Sequence, residues 1–242
     1  MFHPRSSQSS EEQPRPFGQQ RRRHLETPRA PSKAASFQRV SANSLAAFES
    51  ETTPAPAYSS ACLPATTPQR PATAADLRSG IDWAEAENAR DGSPLKGKVD
   101  TGKVAVTGTS CGGRLSIELG ADPRVDTIAA FAAGVTGDQL ALLQKLHGPV
   151  LLINGHERDF MMGPSKATFD AINNLPVFYG ARHGAGHSAT IYHPGGGEYA
   201  NLATNWLRWQ FKNDKKARAM FVGKKCGLCT NDNWDVEQKR LK

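Results

Sequence analysis

Apolar positions fall into a regular rhythm only after about residue 72, and from there two periods alternate along the chain. Residues 73–90 place Leu77, Ile81 and Ala84 on one face, with Asp76 near the start. That is the signature of an amphipathic helix with an acidic first turn. A polar stretch, 91–101, leads to 103–107 (KVAVT), a β-branched run between glycines, which predicts a buried strand. The same reasoning predicts helices at 114–119, 138–146, 167–173 and 199–212, the last carrying Trp206 and Trp209. Strands are predicted at 127–132, 149–154 (PVLLIN, the clearest in the chain) and 176–181. About four strands alternating with helices predict an α/β fold whose mostly parallel sheet is covered on both faces. In such sheets, chemistry collects at the carboxyl ends of the strands.

Composition divides the chain at the same place. Ten of the 16 prolines precede residue 73, whereas 21 of the 22 glycines and all four tryptophans follow residue 72. Residues 1–72 are rich in Ser, Pro, Gln and Arg, with no repeated apolar spacing beyond a possible helical turn at 44–48. Such a segment cannot bury enough surface to offset its ordering entropy, so it is predicted to be disordered, with the folded domain at 73–242. The net charge of +7 is uneven: +4 over 1–72, −3 over 73–207 and +6 over 208–242. Basic ends without a zinc-finger, RRM or helix-turn-helix pattern point to solvated tails and no nucleic-acid site. No stretch approaches the roughly 18–20 apolar residues of a membrane span. No apolar h-region follows Met1–Arg5, so no secretory signal is predicted and the chain, taken literally, is cytosolic.

Candidate chemistry begins after the strand at 103–107, where Gly108-Thr109-Ser110-Cys111-Gly112-Gly113 matches G-x-S-x-G. In that pattern small residues flank a sharp strand-to-helix turn that lifts the serine hydroxyl into the open. The helix that follows brings backbone N–H groups and its positive dipole end, so the Cys111 amide is a candidate oxyanion donor. A nucleophilic serine needs a base, and the base needs a carboxylate to hold its tautomer. Asp159 follows the strand 149–154, and His187 follows the strand 176–181 inside Gly184-Ala185-Gly186-His187-Ser188. Glu157 is the rival acid. His183, His187 and His193 together suggest a metal site, but Gly184 and Gly186 oppose a helix there and no acidic ligand adjoins them. Gly195-Gly196-Gly197 lacks the Lys-Ser/Thr of a phosphate loop and predicts a flexible turn instead.

VAVTGTSCGG (104–113), PVLLINGHERDF (149–160), FYGARHGAGHSATI (178–191) and the tail from residue 201 through CGLC to Trp234 resemble the α/β hydrolases. Within that superfamily they are most similar to the esterases of the dienelactone hydrolase and polyethylene-terephthalate-hydrolase-like (cutinase-like) group. The resemblance covers about 73–242. It implies hydrolysis of a small or polymeric carboxylic ester through an acyl-enzyme, with Ser110 as nucleophile, Asp159 as acid, His187 as base and no cofactor or metal. It also implies a short-range disulfide between Cys226 and Cys229, as in exported relatives. Cys111 is expected to be a small residue filling the turn. An α/β hydrolase has about four strands ahead of its nucleophile strand, one of whose loops supplies a second oxyanion N–H. Residues 1–72 carry no such pattern, so the alternative expectation is a non-catalytic or truncated hydrolase fragment.

Overall fold

The computed structural model describes residues 71–189 and 191–242. The disorder expected of 1–72 lies outside the described residues except at Pro71 and Ala72. Four strands follow one another in space as they do in sequence: β1 (Val104–Thr109), β2 (Val125–Phe131), β3 (Val150–Gly155) and β4 (Val177–Arg182). All three pairings among them are parallel. A fifth strand, β5 (Trp234–Lys239), runs antiparallel along β4, with Ala181 opposite Asp235 and Arg182 opposite Trp234. The fold is therefore α/β with a mostly parallel sheet, as the alternating periods predict, plus one antiparallel edge strand that they do not.

The continuous apolar runs of β2 and β3 are explained by burial on both sides. Val150 and Leu152 face one layer, with Ile128, Ala130, Val177 and Tyr179. That layer is completed by Ile117 and Leu119 of helix α2 (Cys111–Leu119) and Phe169 of helix α3 (Met162–Ala171). Leu151 and Ile153 face the other layer, with Phe131 and Phe178, against Leu202, Ala203 and Trp206 of helix α4 (Gly197–Lys212). Trp206 is fully buried and stands edge-on to both Trp209 (5.2 Å) and Phe221 (5.3 Å). Its indole N–H donates to Thr127 Oγ1 at 2.8 Å, and the Thr127 hydroxyl donates to the Pro149 carbonyl at 2.8 Å. No polar group of that chain is left bare in the core.

Helix α1 (Ala74–Ala89) starts at Thr73, whose N–H donates to Asp76 Oδ2 at 2.8 Å, so Asp76 closes the first turn as expected. Several predicted boundaries move, and one segment changes type. Helix α2 begins at Cys111 rather than residue 114, because the chain turns straight from Ser110 into the helix. Helix α3 begins at Met162 rather than 167, with Pro164 in its first turn, where proline costs no hydrogen bond. The segment expected as a helix at 138–146 is a 3-10 helix, Gly137–Lys145, anchored by the buried Leu143. The short helix α5 (Lys215–Arg218) is N-capped by Asp214, and the Cys226–Cys229 disulfide follows it. No helix among the described residues is long and apolar enough to cross a membrane.

Arg124, just before β2, ties this sheet to α1. It reaches Asp122 at 3.0 Å, Asp82 at 2.7 Å and Glu85 at 3.0 Å, while Arg78 adds a second contact to Asp122 at 3.1 Å. The Arg124 guanidinium bonded to the Asp122 side chain holds that carboxyl at about 2, below its ordinary 3.8. A depressed carboxyl stabilises the fold above its unfolded pKa, and the benefit disappears as pH falls through the folded value. Urea midpoints measured from pH 5 downward should therefore fall between about pH 4 and pH 2, and Asp122→Asn should flatten that part of the curve.

Candidate functional site

Ser110 stands where β1 passes directly into α2, with φ +54° and ψ −119°. A side-chain-bearing residue held there costs about 1–3 kcal/mol and persists only where its surroundings over-determine it. They do so here. The Ser110 N–H donates to the Phe131 carbonyl at 2.9 Å, and the Ser110 carbonyl accepts from the Arg114 N–H at 3.0 Å. Glycine makes the reversal possible by close approach: a Cβ on Gly108 would lie 2.4 Å from the carbonyl carbon of Gly112. A Cβ on Gly113 would lie 2.4 Å from the Ala133 methyl and 2.9 Å from the Gly108 oxygen. Gly112 itself has open space where a Cβ would go. Of the two glycines flanking Ser110 in the sequence pattern, only the leading one is space-limited, and the extra glycine takes the other role.

Asp159 lies in the loop after β3 and its side chain is fully buried. Its carboxylate accepts from the Gly155 N–H at 3.0 Å and from the Met161 N–H at 3.0 Å. His187, in the loop after β4, places Nδ1 at 2.9 Å from Asp159 Oδ1. A carboxylate there fixes Nδ1 as the N–H position and leaves Nε2 as the basic nitrogen. Two loops must meet for this contact. The His156 N–H donates to the Ala185 carbonyl at 3.1 Å, Arg158 bridges to Gly186, and a Cβ on Gly155 would sit 2.4 Å from the Ala185 oxygen. Phe160, half exposed, stacks on the His187 ring at a centroid distance of 4.1 Å.

Because β1, β3 and β4 are parallel, the loops bearing Ser110, Asp159 and His187 all leave the same edge of the sheet. The Cys111 amide opens α2 beside Ser110, at the positive end of the helix dipole. Cys111 is not a free thiol, so it does more than fill space in the turn.

The rival residues go elsewhere. Glu157 accepts from the Gly184 N–H at 3.4 Å and has no contact with His187 among the described hydrogen bonds. His183 turns to Asp235, with Nε2 at 3.0 Å from Oδ1, and His193 is exposed. His183, His187 and His193 thus share no common ligand set. The glycine triplet 195–197 forms the turn into α4, with φ values of +67°, +78° and +57°. Sequence reasoning missed Phe160, which adjoins Asp159 in the chain, and it missed the grouping of His156 and His183 with Asp235. The second could be found only by recognising β5.

Comparison with known proteins matches the chain to no family model and to no curated protein.

The close approaches make a graded prediction about the turn at Ser110. Gly108→Ala and Gly113→Ala should each lower stability by about 2 kcal/mol or more through backbone displacement. Gly112→Ala should stay within about 1 kcal/mol of the parent, since alanine favours a helix and meets nothing there. Urea unfolding of the three variants checks the ranking.

Proposed function

We propose that this chain is a serine hydrolase of carboxylic esters, of the α/β-hydrolase type and similar to the dienelactone hydrolase and cutinase-like esterases. One observation carries the reading: Ser110 sits in a high-energy backbone conformation at a strand-to-helix turn, on the sheet edge that also bears the Asp159–His187 pair. Strain of that kind at a serine has no packing benefit of its own, whereas it projects a hydroxyl toward an incoming carbonyl.

In the proposed reaction the Ser110 Oγ attacks the ester carbonyl carbon while its proton passes to His187 Nε2. Asp159 holds the ring and stabilises the imidazolium. The Cys111 N–H donates to the oxygen that becomes anionic. Collapse breaks the bond to the alcohol, which leaves with the proton from His187, and the acyl group stays on Ser110. Water then gives a proton to His187 and attacks the acyl-serine, releasing the acid. Phe160 beside the His187 ring offers an apolar surface to the acyl or alcohol part of the substrate.

A second reading is a non-catalytic member of the same fold. It is favoured by one fact: β1 stands at the end of the strand order, so no strand among the described residues flanks it to supply another oxyanion donor. Losing one such donor costs about a hundred- to a thousand-fold in rate.

Hydrolysis of a short-chain p-nitrophenyl ester and labelling by a fluorophosphonate separate the two. The catalytic reading expects turnover and labelling by the parent, and loss of both in Ser110→Ala. It expects a drop of about ten-thousand-fold in Asp159→Asn and near-parent rates in Glu157→Gln. Equal rates in the parent and Ser110→Ala would overturn the esterase reading, and labelling without turnover would favour the second.

A further inference from the structure

A cavity of about 410 Å³ opens on the α4 side of the sheet and plays no part in the proposed reaction. Its apolar walls are Leu202 of α4, Met220 in the turn after α5, Leu228 ahead of β5 and Trp234 at the start of β5. Leu202, Leu228 and Trp234 are buried members of the aromatic layer around Trp206, so the floor of the cavity is part of the core. Cavities of this size take small organic molecules, with affinity from the apolar floor and orientation from a few polar groups.

The walls are ordered before anything binds. Gly227 and Leu228, which both line the cavity, are the two residues enclosed by the Cys226–Cys229 bridge. The Gly227 N–H donates to the Ala219 carbonyl at 3.0 Å and the Leu228 N–H to the Met220 carbonyl at 3.2 Å, joining that loop to the turn after α5. A wall already fixed in place spares a ligand the cost of ordering it.

The rim decides what the ligand is. Its carboxylate, Glu198, is taken by the Arg182 guanidinium. The exposed Lys216 has no such partner: Asp214, the acid nearest to it in the chain, is bonded to Arg208 and to the backbone N–H groups of Lys216 and Ala217. Two asparagines complete the rim. Asn201 Oδ1 accepts from Asn205 Nδ2 at 3.0 Å, and Asn231 Oδ1 accepts from the Asn233 N–H at 3.1 Å. With both amide oxygens engaged, each asparagine has its NH2 group to offer. An ammonium and two amide donors thus surround an apolar floor, and the only acid beside them is already neutralised.

We propose that this cavity binds a carboxylate with an apolar tail, of the class of a medium-chain alkanoate. The tail lies on Leu202, Leu228 and Trp234, and the carboxylate accepts from Lys216 Nζ and from the Asn201 and Asn231 amides. Hydrogen bonds to an ionised acceptor are stronger than those to a neutral one, so charge selects the ligand while burial of the tail holds it. The inference stands independently of the esterase reading, because it is read as binding without turnover.

An NMR titration of the full chain with hexanoate tests it, beside 1-hexanol and hexylamine as neutral and cationic forms of the same tail. One hexanoate should bind with a Kd of about 1 mM or tighter, a range open to a ligand of roughly eight heavy atoms, and the other two about tenfold more weakly or worse. Lys216→Met keeps the apolar stem and removes the charge, and should weaken hexanoate about tenfold. Ala219→Leu fills the cavity from its wall and should abolish binding, whereas Lys225→Met, outside the cavity, should leave the Kd within about twofold of the parent. All three positions are exposed, so each variant should keep a Tm near that of the parent. The proposal is overturned by the absence of saturable hexanoate binding, by equal binding of 1-hexanol, or by a Kd unchanged in both Lys216→Met and Ala219→Leu.

Discussion

A carboxylate shut away from water must be surrounded by donors, and Asp159 imposes that requirement on the upper edge of the sheet. It is met by two backbone N–H groups from its own loop and one ring N–H from the loop after the next strand. Removing any one leaves an acceptor unpaired in a low-dielectric setting, which costs more than the bond itself contributes. The loops after β3 and β4 therefore cannot drift independently. Gly155 has no side chain because the His187 loop runs where one would project. The order β1-β2-β3-β4 then brings Ser110 to the same edge.

The two halves of the site are held by different means. The Asp159–His187 half is secured by hydrogen bonds among buried groups. The Ser110 half is secured by steric exclusion: with Gly108 against Gly112 and Gly113 against Ala133, the chain has no room to relax into a lower-energy turn. Strain of about 1–3 kcal/mol at one residue is a large share of a total stability of about 5–15 kcal/mol. It is sustained by the centre of the sheet, where β3 is buried at every position, whereas β1, predicted as a buried strand, lies at the edge and buries only Val106.

Much of this was legible in the sequence because parallel strands covered on both sides leave unmistakable apolar runs. PVLLIN needed no context, and the step from KVAVT into glycines around Ser110 carried both the strand and the turn. Chain order favours Asp159 over Glu157 as the partner of His187; among the described hydrogen bonds Asp159 contacts His187, and Glu157 accepts from the Gly184 N–H. β5 escaped because Trp234-Asp235-Val236-Glu237-Gln238-Lys239 alternates apolar and polar residues, the habit of an edge strand, in a tail that otherwise looked like a basic extension. The 3-10 segment at Gly137–Lys145 has helix-like composition, and nothing in its residue types distinguishes a three-residue period from 3.6. The His156–His183–Asp235 grouping depends on the antiparallel register of β5, which no local pattern reveals.

The Cys226–Cys229 bridge encloses only two residues between its ends. A ring that small restrains few conformations of an unfolded chain, so its entropic contribution lies near the low end of the disulfide range, about 2 kcal/mol. Cys226 is buried in the same layer as Trp206 and Phe221, so the bridge packs against the aromatic cluster. The bridge is best regarded as a local clasp on the turn that precedes β5. Its contribution is therefore confined to the segment between α5 and β5.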